Sequence, residues 1–141
     1  MIDPISMSET LQVLRKSMDC LSVRNEAIAN NIANADTPQY KRIEVTFQEQ
    51  LKAVVNKNHE KSPLVRTHPM HYPLASATTL DGFKPDIRVA TETSGRNDGN
   101  NVDMNMEGAK LAENTALYNS LADVTSRYIA QLRHAVTEGK R

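Results

Sequence analysis

The chain has 141 residues, of which 39% are apolar, with no tryptophan and with 17 basic and 17 acidic residues. This length favours one domain or one elongated subunit, and an apolar content below the roughly 45–50% of globular domains argues against a large self-sufficient core. Zero net charge argues against nucleic-acid binding, which needs a basic surface to neutralise phosphates.

The first element is a helix predicted from about residue 6 to residue 34. Its apolar residues recur at heptad spacing, with Asn25 in the one skipped position: Met7, Leu11, Leu14, Met18, Leu21, Ile28 and Ile32. Such spacing predicts a long amphipathic helix of about 42 Å at 1.5 Å per residue. Cys20, the one cysteine, lies inside this pattern and is expected to be a small buried hydrophobe.

The end of this helix is rich in amides. Asn30, Asn31 and Asn34 come just before Thr37-Pro38. Amide side chains can satisfy the last helical carbonyls, and Asn34 is suited to the left-handed conformation of a C-cap. Since Pro38 directs the preceding residue toward an extended conformation, the helix is predicted to end here and an extended segment to begin.

The middle of the chain, residues 56–101, carries most of the prolines and glycines. Its turn-rich composition predicts a long segment with little regular structure. The alternation of Ile87-Arg88-Val89 indicates a strand or half of a hairpin. His68 and His71 have a spacing compatible with metal binding, but no acidic or cysteine ligand stands near them, so no metal site is expected.

A second long helix is predicted from about residue 103 to residue 137. Its apolar stripe is broader than that of the first helix and includes Leu111, Leu117, Tyr118, Leu121, Ile129 and Leu132. Asn101, Asp103 or Asn105 is expected to supply the N-cap, and Gly139 the stop. Because two helices alone cannot cover so broad a stripe, it is expected to be an interaction surface.

The predicted fold is mainly α. Two long terminal helices pair as an antiparallel coiled coil, and the middle segment is extended and partly disordered or forms a β-hairpin. The expected organisation is an N-terminal core helix over 1–36, an extended arm and flexible middle over 37–101, and a C-terminal core helix over 102–141.

Two motifs carry a family resemblance. Residues 29–42, Ala-Asn-Asn-Ile-Ala-Asn-Ala-Asp-Thr-Pro-Gln-Tyr-Lys-Arg, resemble the N-terminal signature of flagellar axial proteins, the rod, hook and related subunits. Residues 98–103, Asp-Gly-Asn-Asn-Val-Asp, followed by residues 111–114 and Tyr118, resemble a second signature of the proximal-rod subunits of that family. One position departs from the pattern, because Gln39 stands where glycine is usual. Since Gln39 disfavours positive φ, a type I turn or an extended path is predicted through Pro38-Gln39.

The resemblance implies a structural subunit of the flagellar basal-body rod, polymerising through its terminal helices into the proximal part of the drive shaft. It implies a rod that crosses the periplasm, export through the flagellar type III apparatus, and no cleaved signal; the first residues lack the cationic and apolar regions of such a signal. The implied partners are other rod subunits, the ring-adapter protein at the rod base and the export apparatus. No enzymatic activity, cofactor, metal, nucleic acid or small-molecule substrate is expected.

The expected subunit interface combines both helices and the joint between the first helix and the extended segment. On the N-terminal side it comprises Leu11, Leu14, Met18, Leu21, Ile28, Asn30, Asn31, Ile32, Asn34, Thr37, Pro38 and Tyr40. On the C-terminal side it comprises Leu111, Tyr118, Leu121, Ile129 and Leu132. Leu11, Leu14, Met18 and Leu21 are expected to pack on Leu111, Tyr118, Ile129 and Leu132, within or between subunits.

Two other classes compete with a rod subunit. An enzyme is not favoured, because no phosphate loop, nucleophile elbow or HExxH motif occurs. A non-flagellar helical adaptor or regulator fits the heptads equally well, and Asn25 would then be a polar residue that sets the register of a discrete coiled coil. Another rod subunit of the same family is the remaining alternative.

Overall fold

The protein is built from three helices and two short strands. The structure, a computed structural model, describes residues 4–59, 80, 82–92 and 96–139. In chain order the elements are α1 (Pro4–Ala33), β1 (Ile43–Thr46), α2 (Gln48–His59), β2 (Asp86–Val89) and α3 (Met104–Glu138).

The ends of the two long helices lie close to their predicted places. Pro4 opens α1, a position where its missing N–H would have no helical partner. Asp103 is the N-cap of α3, and its side chain accepts hydrogen bonds from the backbone N–H groups of Asn105 and Met106. Gly139 ends α3, and its N–H donates to the Ala135 carbonyl. Two long helices, an Asp103 cap and a Gly139 stop are therefore confirmed.

The long helices run antiparallel, as predicted. Near the end of α1, Asn31 bonds Glu107 in the first turn of α3, whereas Met18 contacts Thr125 more than four turns further along α3. Asn25, at the skipped heptad position, is exposed at the rim of a cleft that it lines together with Asn114 and Tyr118 of α3, and it is not buried between the helices. It therefore cannot set the register of the pair as a buried polar residue would.

The two strands form one antiparallel ribbon. Ile43 lies opposite Val89 and Thr46 opposite Asp86. The predicted strand at 87–89 is confirmed, and its partner lies more than 40 residues earlier in the chain.

A short helix, α2, completes the structure and was not predicted from the sequence. Leu51 of α2 packs with Phe47 against α1, where Cys20 and Leu21 are buried. The whole buried cluster comprises Cys20, Leu21, Phe47, Leu51, Leu80 and Phe83, flanked by Val13, Val54, Val55 and Leu121. The expected burial of Cys20 is confirmed, and the core lies where α1 meets both α2 and the chain that leads into β2. No helix in the described ranges is long and apolar enough to span a membrane.

Candidate functional site

The site with the densest set of specific contacts is the joint that follows α1. There, buried asparagine side chains form the hydrogen bonds that backbone N–H and carbonyl groups would otherwise form with other backbone groups. We define the joint as residues 30–43 together with residues 96–107. Within it, Asn31 and Glu107 each expose only 1% of their surface, and Asn100 is fully buried. Because buried polar groups are costly unless they are hydrogen-bonded, each of these side chains needs matched partners.

Asn31 is bonded through every functional atom of its side chain. Its Oδ1 accepts the Ile43 N–H at 2.8 Å, and its Nδ2 donates to the Ile43 carbonyl at 2.8 Å. The same Nδ2 donates to Glu107 Oε2 at 3.0 Å, and Oδ1 also accepts from the Tyr40 hydroxyl at 3.3 Å. One residue thereby ties the end of α1 to the start of β1 and to α3.

Glu107 brings α3 into this arrangement. Its other oxygen, Oε1, accepts from Lys110 Nζ at 2.7 Å, so the buried carboxylate has a cation on one side and an amide donor on the other. A buried carboxylate with both oxygens bonded avoids the large cost of an unpaired charge. The position of Glu107 near the N-terminus of α3 also suits the helix dipole.

Asn100 caps the end of α1 from 65 residues away. Its Nδ2 lies 2.9 Å from the carbonyl oxygens of Asn34, Ala35 and Thr37. Its Oδ1 accepts the N–H of Val102 at 2.8 Å. The last carbonyls of a helix lack partners within the helix, and here one side-chain amide supplies a donor to the chain that leaves α1.

Asn101 performs a related task at the end of the ribbon. Its Oδ1 accepts the Arg42 N–H at 2.7 Å, and its Nδ2 donates to the Ala90 carbonyl at 3.1 Å. The amide therefore bridges the two strands where their own ladder ends. Lys41 Nζ donates to the Gly99 carbonyl at 2.7 Å, which ties the residues just before β1 to the loop that precedes α3.

The turn between α1 and β1 differs from the prediction. Gln39 has a φ of 61°, so the expectation of a type I turn or an extended path was wrong. Tyr40 N–H donates to the Thr37 carbonyl at 3.3 Å, and positive φ at the third residue of the turn, directly after Pro38, is the mark of a type II turn. The left-handed conformation is held because the Gln39 N–H donates to the Asp98 carbonyl at 2.9 Å.

Asn34 does not adopt the left-handed conformation expected of a C-cap residue. Among the described non-glycine residues, Gln39 alone has positive φ. Asn34 instead donates from Nδ2 to the Asn30 carbonyl at 2.8 Å and accepts from the Thr37 hydroxyl at 3.2 Å.

Asp98 and Arg96 stabilise the outer part of the joint. The N–H of Asn100, and then Arg96, lower the pKa of the Asp98 carboxyl. Arg96 also donates to the Ala35 carbonyl at 3.3 Å, so this side chain links the 96–100 loop to the residues after α1.

A cleft of about 250 Å³ lies beside the joint, between α1, β1 and α3. Ala27, Ile28 and Val45 line it, and Arg24 crosses its edge with Nε donating to the Val45 carbonyl at 3.1 Å. The Arg24 guanidinium also stacks 4.5 Å from the centre of the Phe47 ring, and burial lowers its pKa. Within the described ranges no three His, Cys, Asp or Glu side chains gather as metal ligands, and His68 and His71 lie outside those ranges.

The structure places the predicted interface residues at three levels of exposure. Leu21, Ile28 and Asn31 are buried within the subunit. Leu14, Met18, Ile32, Asn34, Tyr40, Leu111, Leu121 and Leu132 are half-buried. Leu11, Asn30, Thr37, Pro38, Tyr118 and Ile129 are exposed.

Several residues that build the joint were not among the predicted site residues. They are Asn100, Asn101, Glu107 and Lys41, together with Arg24 at the edge of the cleft. The run of residues 98–103 was recognised as a motif, so its amides were a usable signal. For Glu107, the sequence held no signal of this role beyond its position at the start of a predicted helix.

The fold and the joint define a class. Two long antiparallel terminal helices are closed by an asparagine-rich joint, and a family model described as flagella basal body rod protein matches residues 11–41, which run from α1 into that joint. These features are those of a flagellar basal body rod protein.

Individual relatives identify the member of the class. The chain is 30% identical over 116 residues to the flagellar basal body rod protein FlgB of Borreliella burgdorferi, covering 82% of this chain and 86% of the relative. It is 29% identical to FlgB of Bacillus subtilis, covering 94% and 97%, and 29% identical to FlgB of Escherichia coli, covering 94% and 96%. The chain belongs to the FlgB family and is a structural subunit of the flagellar basal body rod.

Proposed function

We propose that the subunit polymerises through its terminal helices, and that α3 is the main contact element. The observation that carries this proposal is the pair of apolar rows that α1 leaves uncovered on α3. Leu117 and Val124 form one row; Tyr118, Ile129 and Val136 form the other. Val124 is 50% exposed and Val136 70%.

The geometry of a helix separates these rows. At 3.6 residues per turn, the face of α3 that meets α1, with Asn114, Leu121 and Thr125, lies between the two rows. Each row can therefore receive a different neighbouring helix while α1 remains in place. Two uncovered rows allow a subunit to have neighbours on both sides, as continued assembly requires.

We further propose, from the family, that the assembled subunit forms the proximal part of a rod crossing the periplasm. Its partners are then other rod subunits, the ring-adapter protein at the rod base and the export apparatus. Export would occur without cleavage of the chain, which mass spectrometry of rod-bound protein can test. The interface comprises the exposed and half-buried members of the predicted set, while Leu21, Ile28 and Asn31 support it from inside the subunit.

The test replaces one residue of each row with a charge. Val124→Asp and Ile129→Asp each place a carboxylate in a surface that the proposal buries, whereas both positions are accessible in the free subunit. We expect the free proteins to stay folded, with stability changed by about 0.5 kcal/mol or less. We expect cells that depend on either variant to lack rods and motility.

A matched control introduces the same aspartate at a position of α3 outside the two apolar rows. Ala112→Asp puts the same carboxylate on the exposed face of α3 that points away from both rows and from α1, and it should leave motility intact. Normal rods in electron micrographs of the Val124→Asp and Ile129→Asp cells would refute the proposed packing.

A further inference from the structure

The outer edge of β2 has no strand partner among the described residues, since the ribbon there consists of β1 and β2 alone. Ala90 N–H donates to the Arg42 carbonyl at 2.9 Å, so residues at alternate positions from Ala90 face β1. The backbone groups of Ile87 and Val89 therefore point away from β1. Their side chains are 57% and 60% exposed.

The opposite edge of the ribbon is covered. Asn31 bonds both backbone groups of Ile43, and Arg24 donates to the Val45 carbonyl. Side chains from α1 thus occupy the positions that a third strand would need beside β1. Within the part of the chain that the structure describes, the ribbon has one open edge, and a strand added there adds beside β2.

The charges along β2 complement a second copy of the same strand. If two β2 strands pair antiparallel about Ile87, each Asp86 lies directly opposite Arg88 of the other copy. Opposite charges at directly paired positions stabilise a sheet. Glu44 already lies opposite Arg88 on the β1 side, so Glu44, Arg88 and Asp86 of the second copy would alternate in charge across three strands. Pro85, which has no N–H, would end the new ladder.

We propose that the open edge of β2 pairs with the same edge of a second copy, forming a closed four-stranded sheet in the order β1-β2-β2-β1. The contact is two-fold and stops at two subunits, because β1 is covered at both ends of the sheet. It is therefore distinct from contacts that lengthen a rod, and it does not rest on the proposed function. With four residues per strand the interface is small, so the dimer is weak and depends on concentration.

The test exploits the symmetry of the charge pairs. The parent protein and both variants carry Glu44→Gln. Without this change, an aspartate at position 88 would lie opposite the carboxylate of Glu44 on β1. In the Asp86→Arg variant, two arginines face each other at each end of the contact; in the Arg88→Asp variant, two aspartates do. Arg88 is exposed, and Asp86 is half-buried and paired with Arg88 of its own strand. Because each substitution breaks that pair, circular dichroism checks that each variant is folded.

The measurement is the weight-average mass by sedimentation equilibrium over a concentration series. The parent protein should rise from 15.7 kDa toward twice that value, and each single variant should remain at the monomer mass. An equimolar mixture of the two variants restores both opposite-charge pairs and should regain the rise. Exchange of the Ile87 and Val89 amide protons should slow as the parent protein is concentrated.

Two results would overturn the proposal. One is a parent protein that stays monomeric while its Ile87 amide exchanges at a rate independent of concentration. The other is a mass that rises equally in the parent protein and in both single variants, since association would then use another surface.

Discussion

The side-chain amide of Asn31 makes with Ile43 the two hydrogen bonds that a neighbouring β-strand would make. Its Oδ1 accepts the Ile43 N–H and its Nδ2 donates to the Ile43 carbonyl, both at 2.8 Å. A helix residue here substitutes for a strand, which requires a donor and an acceptor on one planar group. Among the side chains, only the amides of Asn and Gln offer that pair in this geometry.

Replacing the Asn31 amide by a carboxylate should strongly lower the stability of the protein. Asn31→Asp keeps the shape, loses the donor to Ile43 and places a carboxylate 3.0 Å from Glu107 Oε2. An uncompensated buried charge costs about 3–5 kcal/mol, and we expect a loss of that order in the free energy of unfolding by urea. The loss should shrink as the pH falls, because protonation of either carboxyl removes the repulsion. Asn30→Asp, at the exposed neighbouring position, is the control and should change stability little.

The cap on α1 should also depend on an amide. Asn100→Asp would set a carboxylate oxygen against the carbonyls of Asn34, Ala35 and Thr37 in place of their common donor. Because buried unmatched acceptors are costly, we expect a loss of about 3 kcal/mol or more in thermal or urea unfolding. Asn97→Asp makes the same chemical change on the exposed turn nearby. Equal effects of the two substitutions would show that the cap contributes no specific stability.

Replacing Gln39, the residue with the left-handed conformation, by glycine should increase the stability of the protein. Gln39→Gly removes a side chain from a residue at φ 61°, where non-glycine residues are disfavoured by roughly 1–2 kcal/mol. Part of this is offset by the greater chain entropy of glycine when unfolded, so the expected net gain is about 0.5–1 kcal/mol. Asp36→Gly, three residues earlier and outside the positive-φ region, should instead lower stability. A stability loss in Gln39→Gly would mean that the side chain contributes more than its strain costs.

Cys20 should make stability fall at alkaline pH. Burial, and then the negative charge of Asp19, raise the pKa of its thiol above the ordinary value of 9.0. The unfolded chain ionises first, so the contribution is complete below about pH 9 and is lost as pH rises through the folded-state value. We expect the difference in unfolding free energy between the parent and Cys20→Ala to shrink from pH 8 to pH 10, by at most about 1.4 kcal/mol per unit. A difference that stays constant over that range would contradict the buried thiol.

The parts of the fold that were predictable depend on near neighbours in the chain. The heptads of α1 and α3, the Asp103 cap and the Gly139 stop are local patterns that a sequence displays directly. The strand at 87–89 was visible as an alternation, but its partner was not, since pairing between distant strands leaves no local mark. Helix α2 was missed because Leu51, Val54 and Val55 give it too few apolar positions to display a period.

The parts that were missed depend on contacts between distant segments. Asn31 and Glu107 are 76 residues apart, and neither predicts the other. At Gln39 the local preference was judged correctly, but a hydrogen bond from its N–H to Asp98 outweighs it. Tertiary contacts of this kind override propensities of about 1 kcal/mol.

The joint has a consequence for the order in which the protein can form. Every bond that Asn100 gives to the end of α1 spans more than 60 residues, and the Asn31–Glu107 bond spans 76. During synthesis α1 is therefore complete long before any of these partners exists, and closing so long a loop carries an entropic cost. When only the first half of the chain has been made, α1 exists without α3 to pack against, without Asn100 at its end and without Glu107 as the partner of Asn31. The final third of the polypeptide is what turns that helix into part of a folded subunit.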